Sequence, residues 1–243
     1  MDLYVSESGV AMEIQLAEPW PTTVAEAVAV QRRLRHRVRA GDDAGSPVRT
    51  VAGVDVAYAA DSDRLAAAVV VLDHTTLDVL ETSTVVTTAE FPYEPGLFAF
   101  RELPTLVTAL RGLRTVPDLI VCDGHGLAHP RRFGLACHLG ILADVPTFGV
   151  AKNVHVGEFV PPASQRGATS PLTVGGEVVG AAVRTRSRVK PVFVSVGHRI
   201  SLDTACAHTL TLSTHYRLPE TTRHADHLSR EVLAGRISPT VAG

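Results

Sequence analysis

The chain has 243 residues, 45% of them apolar, and a formal net charge of −2. That composition supplies a sizeable core, and a charge so near zero argues neither for nor against a nucleic-acid partner. No run of roughly 18 apolar residues occurs and the N-terminus lacks a basic segment followed by an apolar one, so neither a membrane-spanning helix nor a secretory leader is expected.

Residues 1–18 carry no pattern and are expected to be disordered; 19–243 are expected to form a single domain. Pro19 to Thr23 lead into a predicted helix over 22–40. Its second half holds a basic stretch, Arg32, Arg33, Arg35, His36, Arg37 and Arg39. Residues 41–47 read as a loop. Strands follow at 48–58, 64–73 and 77–88, an antiparallel meander with turn residues Asp73 to Thr76. Phe91-Pro92-Tyr93-Glu94-Pro95-Gly96 excludes regular structure. Leu103, Leu106, Val107 and Leu110 then mark a helix over 97–111. Strand 118–123, helix 131–143 and strand 146–151 come next, then a Pro/Gly-rich loop over 157–171. Strands at 172–184 and 191–196 and helices at 201–213 and 223–235 complete the chain. A meander followed by alternating helices and parallel strands is a ribonuclease H-like α/β arrangement, a mixed sheet flanked by helices.

Cys122, Cys137 and Cys206 are odd in number and lack CxxC spacing. They read as reduced thiols of a cytoplasmic protein. Lysine occurs only at Lys152 and Lys190. A second basic stretch comprises Arg184, Arg186, Arg188 and Lys190. Either basic stretch can meet phosphates or be a solvated surface.

Three acids stand in apolar settings. Asp55 is central in Val51-Ala52-Gly53-Val54-Asp55-Val56-Ala57-Tyr58, where a charge is expensive unless paired or bound to a cation. Asp123 ends an apolar strand and precedes Gly124-His125-Gly126; the plain alternative is a turn aspartate. Glu102 lies beside the buried stripe of its helix, where the alternative is an edge residue paired with Arg101 or Arg111. Asp55 and Asp123 are neighbours if their strands pair. Acids from different elements are what divalent cations such as Mg²⁺ require, and such a centre hydrolyses phosphodiesters. Lys152, at a strand end, is placed to contact a scissile phosphate or an attacking water; the alternative is a surface lysine. His125 and His129 have His-x3-His spacing, but two glycines and Pro130 make the segment a loop, so phosphate contact or loop hydrogen bonding is favoured over zinc.

Together these segments resemble the endonuclease V family. The resemblance is carried by Gly53 to Tyr58, Pro92 to Gly96 with Phe100-Arg101-Glu102, Asp123 to Gly126 with His129 to Gly134, and Gly149 to Lys152. Ser195 to Arg199 and Arg223 to Asp226 add to it. It implies a Mg²⁺-dependent enzyme, with Mn²⁺ as substitute, that nicks the second phosphodiester 3′ to deoxyinosine in DNA and leaves 3′-hydroxyl and 5′-phosphate ends. Asp55, Glu102 and Asp123 are then catalytic metal-binding acids, Lys152 is catalytic, and Asp226 is a fourth metal ligand. Read alone, Asp226 is a helix residue paired with Arg230. Tyr93 matches the aromatic wedge inserted beside an extruded base, held by Pro92 and Pro95. Gly96, Gly124, Gly126, Gly134, His125 and His129 are the further expected substrate contacts. Glu94 departs from the family in a position usually apolar. The rivals are an inosine-specific ribonuclease acting on RNA and an inactive nucleic-acid-binding module. A zinc hydrolase using His125 and His129 ranks last. A monomer without membrane association is expected.

Overall fold

The structure, a computed structural model, describes residues 12–14, 19–43 and 47–241. Among these, eight strands form one mixed sheet in the order β3-β2-β1-β4-β5-β8-β7-β6. The meander is β1 (Thr50–Tyr58), β2 (Arg64–Asp73) and β3 (Val79–Thr88). Strand β4 (Leu119–Asp123) lies parallel to β1, and β5 (Thr147–Ala151) parallel to β4. The antiparallel extension is β8 (Val192–His198), β7 (Glu177–Val183) and β6 (Thr169–Val174). Central β4 and β5 are apolar along their length because both faces are covered.

The alternation of β1 sorts its side chains between two cores. Ala52 and Val54 meet α2 (Phe98–Arg111) and α3 (Leu135–Ala143) through Leu103, Leu106, Leu110 and Leu139. Val51 faces α4 (Leu202–Leu212) and α5 (Glu220–Leu233) through Ala205, Leu212 and Ala225. Helix α1 (Val24–Leu34) starts at a capping box, with Thr23 accepting from the Glu26 amide, and packs near the 91–97 loop through Ala27, Phe91, Leu97 and Phe100.

One close approach positions the chemistry. A Cβ at Gly53 would overlap the Thr221 carbonyl, so glycine alone lets the start of α5 rest on β1. Further along α5, Asp226 and Ser229 then lie over Asp55.

The structure refines several sequence boundaries. The strand expected over 172–184 is a hairpin, β6 and β7, turning at Gly175 and Gly176, both at positive φ. The helix expected over 22–40 ends at Leu34 and continues as a 3₁₀ turn over Arg35–Arg37. The helix expected from 131 begins at Leu135, because Arg132 has φ +55° and Gly134 is extended. Within 1–18, Met12 and Ile14 are buried against the α2 core, and Arg111 bonds the Ile14 carbonyl. The rest of that segment, apart from residue 13, lies outside the described residues.

Candidate active site

Parallel pairing of Val54 with Cys122 brings the next residues out side by side, Asp55 within β1 and Asp123 at the C-terminal end of β4. Helix α5 adds Asp226. One carboxylate oxygen from each of the three lies within 4.8 Å of the others. Lys152, just past β5, places Nζ 2.7 Å from Asp123 Oδ2. Arg230 Nη2 holds Asp226 Oδ1 at 2.8 Å, one helical turn away. The Ser229 hydroxyl is 2.9 Å from Asp55 Oδ2 and 3.0 Å from the Asp226 carbonyl, so its single proton serves two acceptors.

The carboxylates outnumber the cations facing them. Burial, then the charge of Asp123, pushes the Asp55 carboxyl up to about 6, against an ordinary 3.8. Burial draws the Lys152 ammonium down, but the bond and charge of Asp123 outweigh it and leave the pKa raised. Glu102 enters from α2 on the other face of the sheet. It is buried, and burial with the charges of Asp55 and Asp123 raises its pKa well above the ordinary range, although Tyr58 donates a hydrogen bond to Oε1 at 2.9 Å. Glu102 lines the same cavity as Asp55, Asp123, Lys152 and Asp226, but stands outside the 4.8 Å trio. Glu102 therefore pairs with Tyr58, while Arg101 turns to Asp63 and the Phe91 carbonyl. An all-oxygen set of four acids, partly buried and faced by only two cationic side chains among the described residues of the cavity wall, Lys152 and Arg230, fits a hard divalent cation.

A second cavity of about 290 Å³ adjoins the acids across Phe98, which lines both. Its wall includes Gln31, Tyr93, Glu94, Pro95, Gly96, Gly124, His125, His129, Gly134 and His155. The loop that carries Tyr93 is held at one atom. The Gly96 carbonyl accepts from Gln31 Nε2 at 3.0 Å, His129 Nε2 at 2.9 Å and Arg131 Nη2 at 2.6 Å. Gly96 has φ +77°, a conformation that L side chains rarely adopt, so the backbone there demands glycine. Tyr93 itself is 70% exposed, its ring edge-on to Phe98 at 6.2 Å.

The histidines serve this cavity. His129 donates through Nε2 and accepts the Arg131 amide at Nδ1, which fixes a neutral tautomer. His125 Nε2 faces the Asn153 carbonyl at 3.1 Å. Burial pushes both imidazoles down to about 4. Their bonding nitrogens thus point to main-chain carbonyls rather than to a shared ligand position. Two expected contacts sit elsewhere: Gly126 packs against the Val196 carbonyl and bonds Ser195, and Pro92 is exposed beside the cavity rather than in its wall.

Sequence reasoning missed Tyr58, Ser229, Gln31, Phe98 and His155. Tyr58 stands three residues after Asp55 and Ser229 three after Asp226, so each lay near an identified acid. Gln31 sat unremarked between apolar and basic residues. The second basic stretch is largely structural, since Arg184 binds the Ala163, Pro162 and Val189 carbonyls and Arg186 binds that of His215.

Comparison with known proteins agrees with this geometry. The family model described as Endonuclease V matches residues 32–227. The endonuclease V of Streptomyces coelicolor is 57% identical over 224 residues, covering 91% of this chain and 96% of that protein. The crystal structure of the Streptomyces avermitilis endonuclease V is 54% identical, with a TM-score of 0.86 over 93% of this chain and 99% of the other. The Ciona intestinalis endonuclease V, solved with a 24mer DNA containing an inosine followed by a ribo-adenosine, is 28% identical with a TM-score of 0.77, over 88% of this chain and 98% of the other. The eight-stranded sheet, its flanking helices and these matches together make the fold ribonuclease H-like and the chain a member of the endonuclease V family.

Proposed function

We propose that the protein is a DNA-repair endonuclease that nicks the second phosphodiester 3′ to deoxyinosine, leaving 3′-hydroxyl and 5′-phosphate ends. The observation that carries this reading is the trio Asp55, Asp123 and Asp226 beside a base-sized cavity rimmed by an exposed tyrosine. Asp55, Asp123 and Asp226, with Glu102 behind them, would hold Mg²⁺ or Mn²⁺. When bound, the cation lowers the pKa of a water and offsets charge on the leaving oxygen. Lys152 Nζ, fixed on Asp123, faces the same space and supplies a positive charge for a phosphate. Tyr93 fills the stack vacated when the base swings out. Neutral His125 and His129, with the Gly96 loop, shape the receiving cavity, and Glu94 brings a carboxylate to its rim. The protein acts as a cytoplasmic monomer in this reading. Among the described residues, no helix is long and apolar enough to cross a membrane, and the three cysteines are free and buried.

The test is a 5′-labelled duplex with one deoxyinosine, incubated with Mg²⁺ and with EDTA. A Mg²⁺-dependent nick at the second phosphodiester 3′ to inosine is the expected result, and no cleavage of any inosine strand overturns the reading. Cleavage of inosine-containing RNA is the second reading, favoured by the ribo-adenosine that follows inosine in the Ciona complex. A ribo-inosine strand assayed in parallel separates the two.

A further inference from the structure

We infer that Arg217 is a positioning residue that sets where Lys152 stands. The inference rests on the reading of Lys152 as part of the cleavage site. The ladder between β5 and β8 ends at the pair Ala151 and Phe193, so Lys152 and the 190–191 segment lie just beyond it. The Arg217 guanidinium continues where the ladder stops. Its Nη2 donates to the Lys152 carbonyl at 2.6 Å and the Pro191 carbonyl at 2.7 Å, and its Nε donates to the Lys190 carbonyl at 3.0 Å. A planar fork with fixed donors bridges adjacent strand ends in a way a lysine ammonium cannot.

Arg217 is anchored in turn. Fully buried Thr185 donates to its carbonyl at 2.6 Å, and two residues later Pro219 begins α5, which carries Asp226 and Ser229. The next peptide is pinned from the other side, by His125 on the Asn153 carbonyl. Lys152 therefore stands in a short segment fixed on both flanks, and only so is its amine held on Asp123. A small displacement of such a group lowers rate sharply while leaving remote binding contacts intact.

Two measurements test this. The first is a double-mutant cycle on single-turnover nicking of the inosine duplex, with Arg217→Ala, Arg217→Lys, Lys152→Ala and the combinations. Arg217→Ala is expected to lower the maximal single-turnover rate about 10- to 100-fold, with the half-saturating enzyme concentration little changed. Arg217→Lys is expected to lose less. In the Lys152→Ala background either change should cost under about twofold, because residues acting through one another are not additive. An equal loss in both backgrounds would overturn the inference.

The second measurement needs no activity. The chain has only Lys152 and Lys190, so ¹⁵N-lysine labelling yields two side-chain ammonium signals. The slowly exchanging signal of Lys152 should be lost in Arg217→Ala or Arg217→Lys, while the folded amide spectrum persists. An unchanged Lys152 signal overturns the inference. If the wild type fails to nick inosine strands, the functional reading fails while this signal still decides the role of Arg217.

Discussion

The two cavities that meet at Phe98 are built on opposite principles. In the base cavity the polar groups that hold the loop and wall are mostly paired, although the buried His125 Nδ1 has no partner among the described residues. Gly96 O takes three donors, both nitrogens of His129 are bonded, and burial keeps His125 and His129 neutral. In the acid cavity four carboxylates face one another with few donors, and Asp55 is pushed up to about 6. On the proposed function, the first cavity is largely preformed for a base. The second is strained by its own charge and gains stability when a cation enters. On that reading, recognition is largely preformed, whereas cleavage awaits a cation.

The largest effect that tests this contrast is Asp55→Ala. Cleavage should fall on the order of 10³-fold or more, since a metal centre contributes several kcal/mol to the barrier. Affinity for the inosine duplex, measured in EDTA, should barely change; joint loss of both would erase the distinction between the cavities. Tyr93→Ala should do the reverse. Binding of the inosine strand should weaken about 10- to 100-fold, the worth of one stacked base, while the calorimetric Mg²⁺ titration stays as in the wild type. Equal discrimination between inosine and undamaged DNA in variant and wild type would remove the wedge role.

Stability against pH sharpens the comparison further. The folded pKa of Asp55 lies above its unfolded value, so the folded state binds this proton more tightly. Stability from this group is full below about pH 4 and is lost as pH rises toward about 6, by up to about 3 kcal/mol. In EDTA at pH 7.5, Asp55→Asn should therefore melt above the wild type although it is inactive, and Mg²⁺ should narrow the gap by stabilising the wild type alone. A smaller effect of opposite sign comes from His138, enclosed by Trp20, Phe100 and Phe133 and pushed down to about 3 by burial. Its contribution is full above pH 6.5 and fades as pH falls, by about 2 kcal/mol at pH 5. His138→Phe should flatten the acid limb of the melting profile by that amount.

What the sequence disclosed follows the range of each interaction. Asp55 and Asp123 were legible because an acid inside an apolar strand is anomalous on local grounds, and parallel pairing then sets them together. Glu102 was legible only in the company of those two, since its stripe position alone permits an ordinary ion pair. Asp226 carries no local anomaly. It reaches the trio because Gly53 lets α5 settle on β1, an approach that no spacing within 220–233 encodes, and only the family resemblance pointed to it. Arg217 was invisible for the same reason, as its partners are carbonyls, which every residue has. The missed hairpin at Gly175 and Gly176 is different, because its signal is local: two adjacent glycines inside 172–184 mark a turn that the expectation of a single strand there overlooks.

Strand β4 ends in consecutive residues that belong to different cavities: Asp123 lines one, while Gly124 and His125 line the other. On the proposed function, a single peptide bond thus joins a group that reads the base to a group that cuts. The molecule would then carry a caliper with one jaw on the base and the other on the backbone. Its opening would be set by covalent geometry, so the proposed function implies one offset between lesion and nick, whatever sequence flanks the damage.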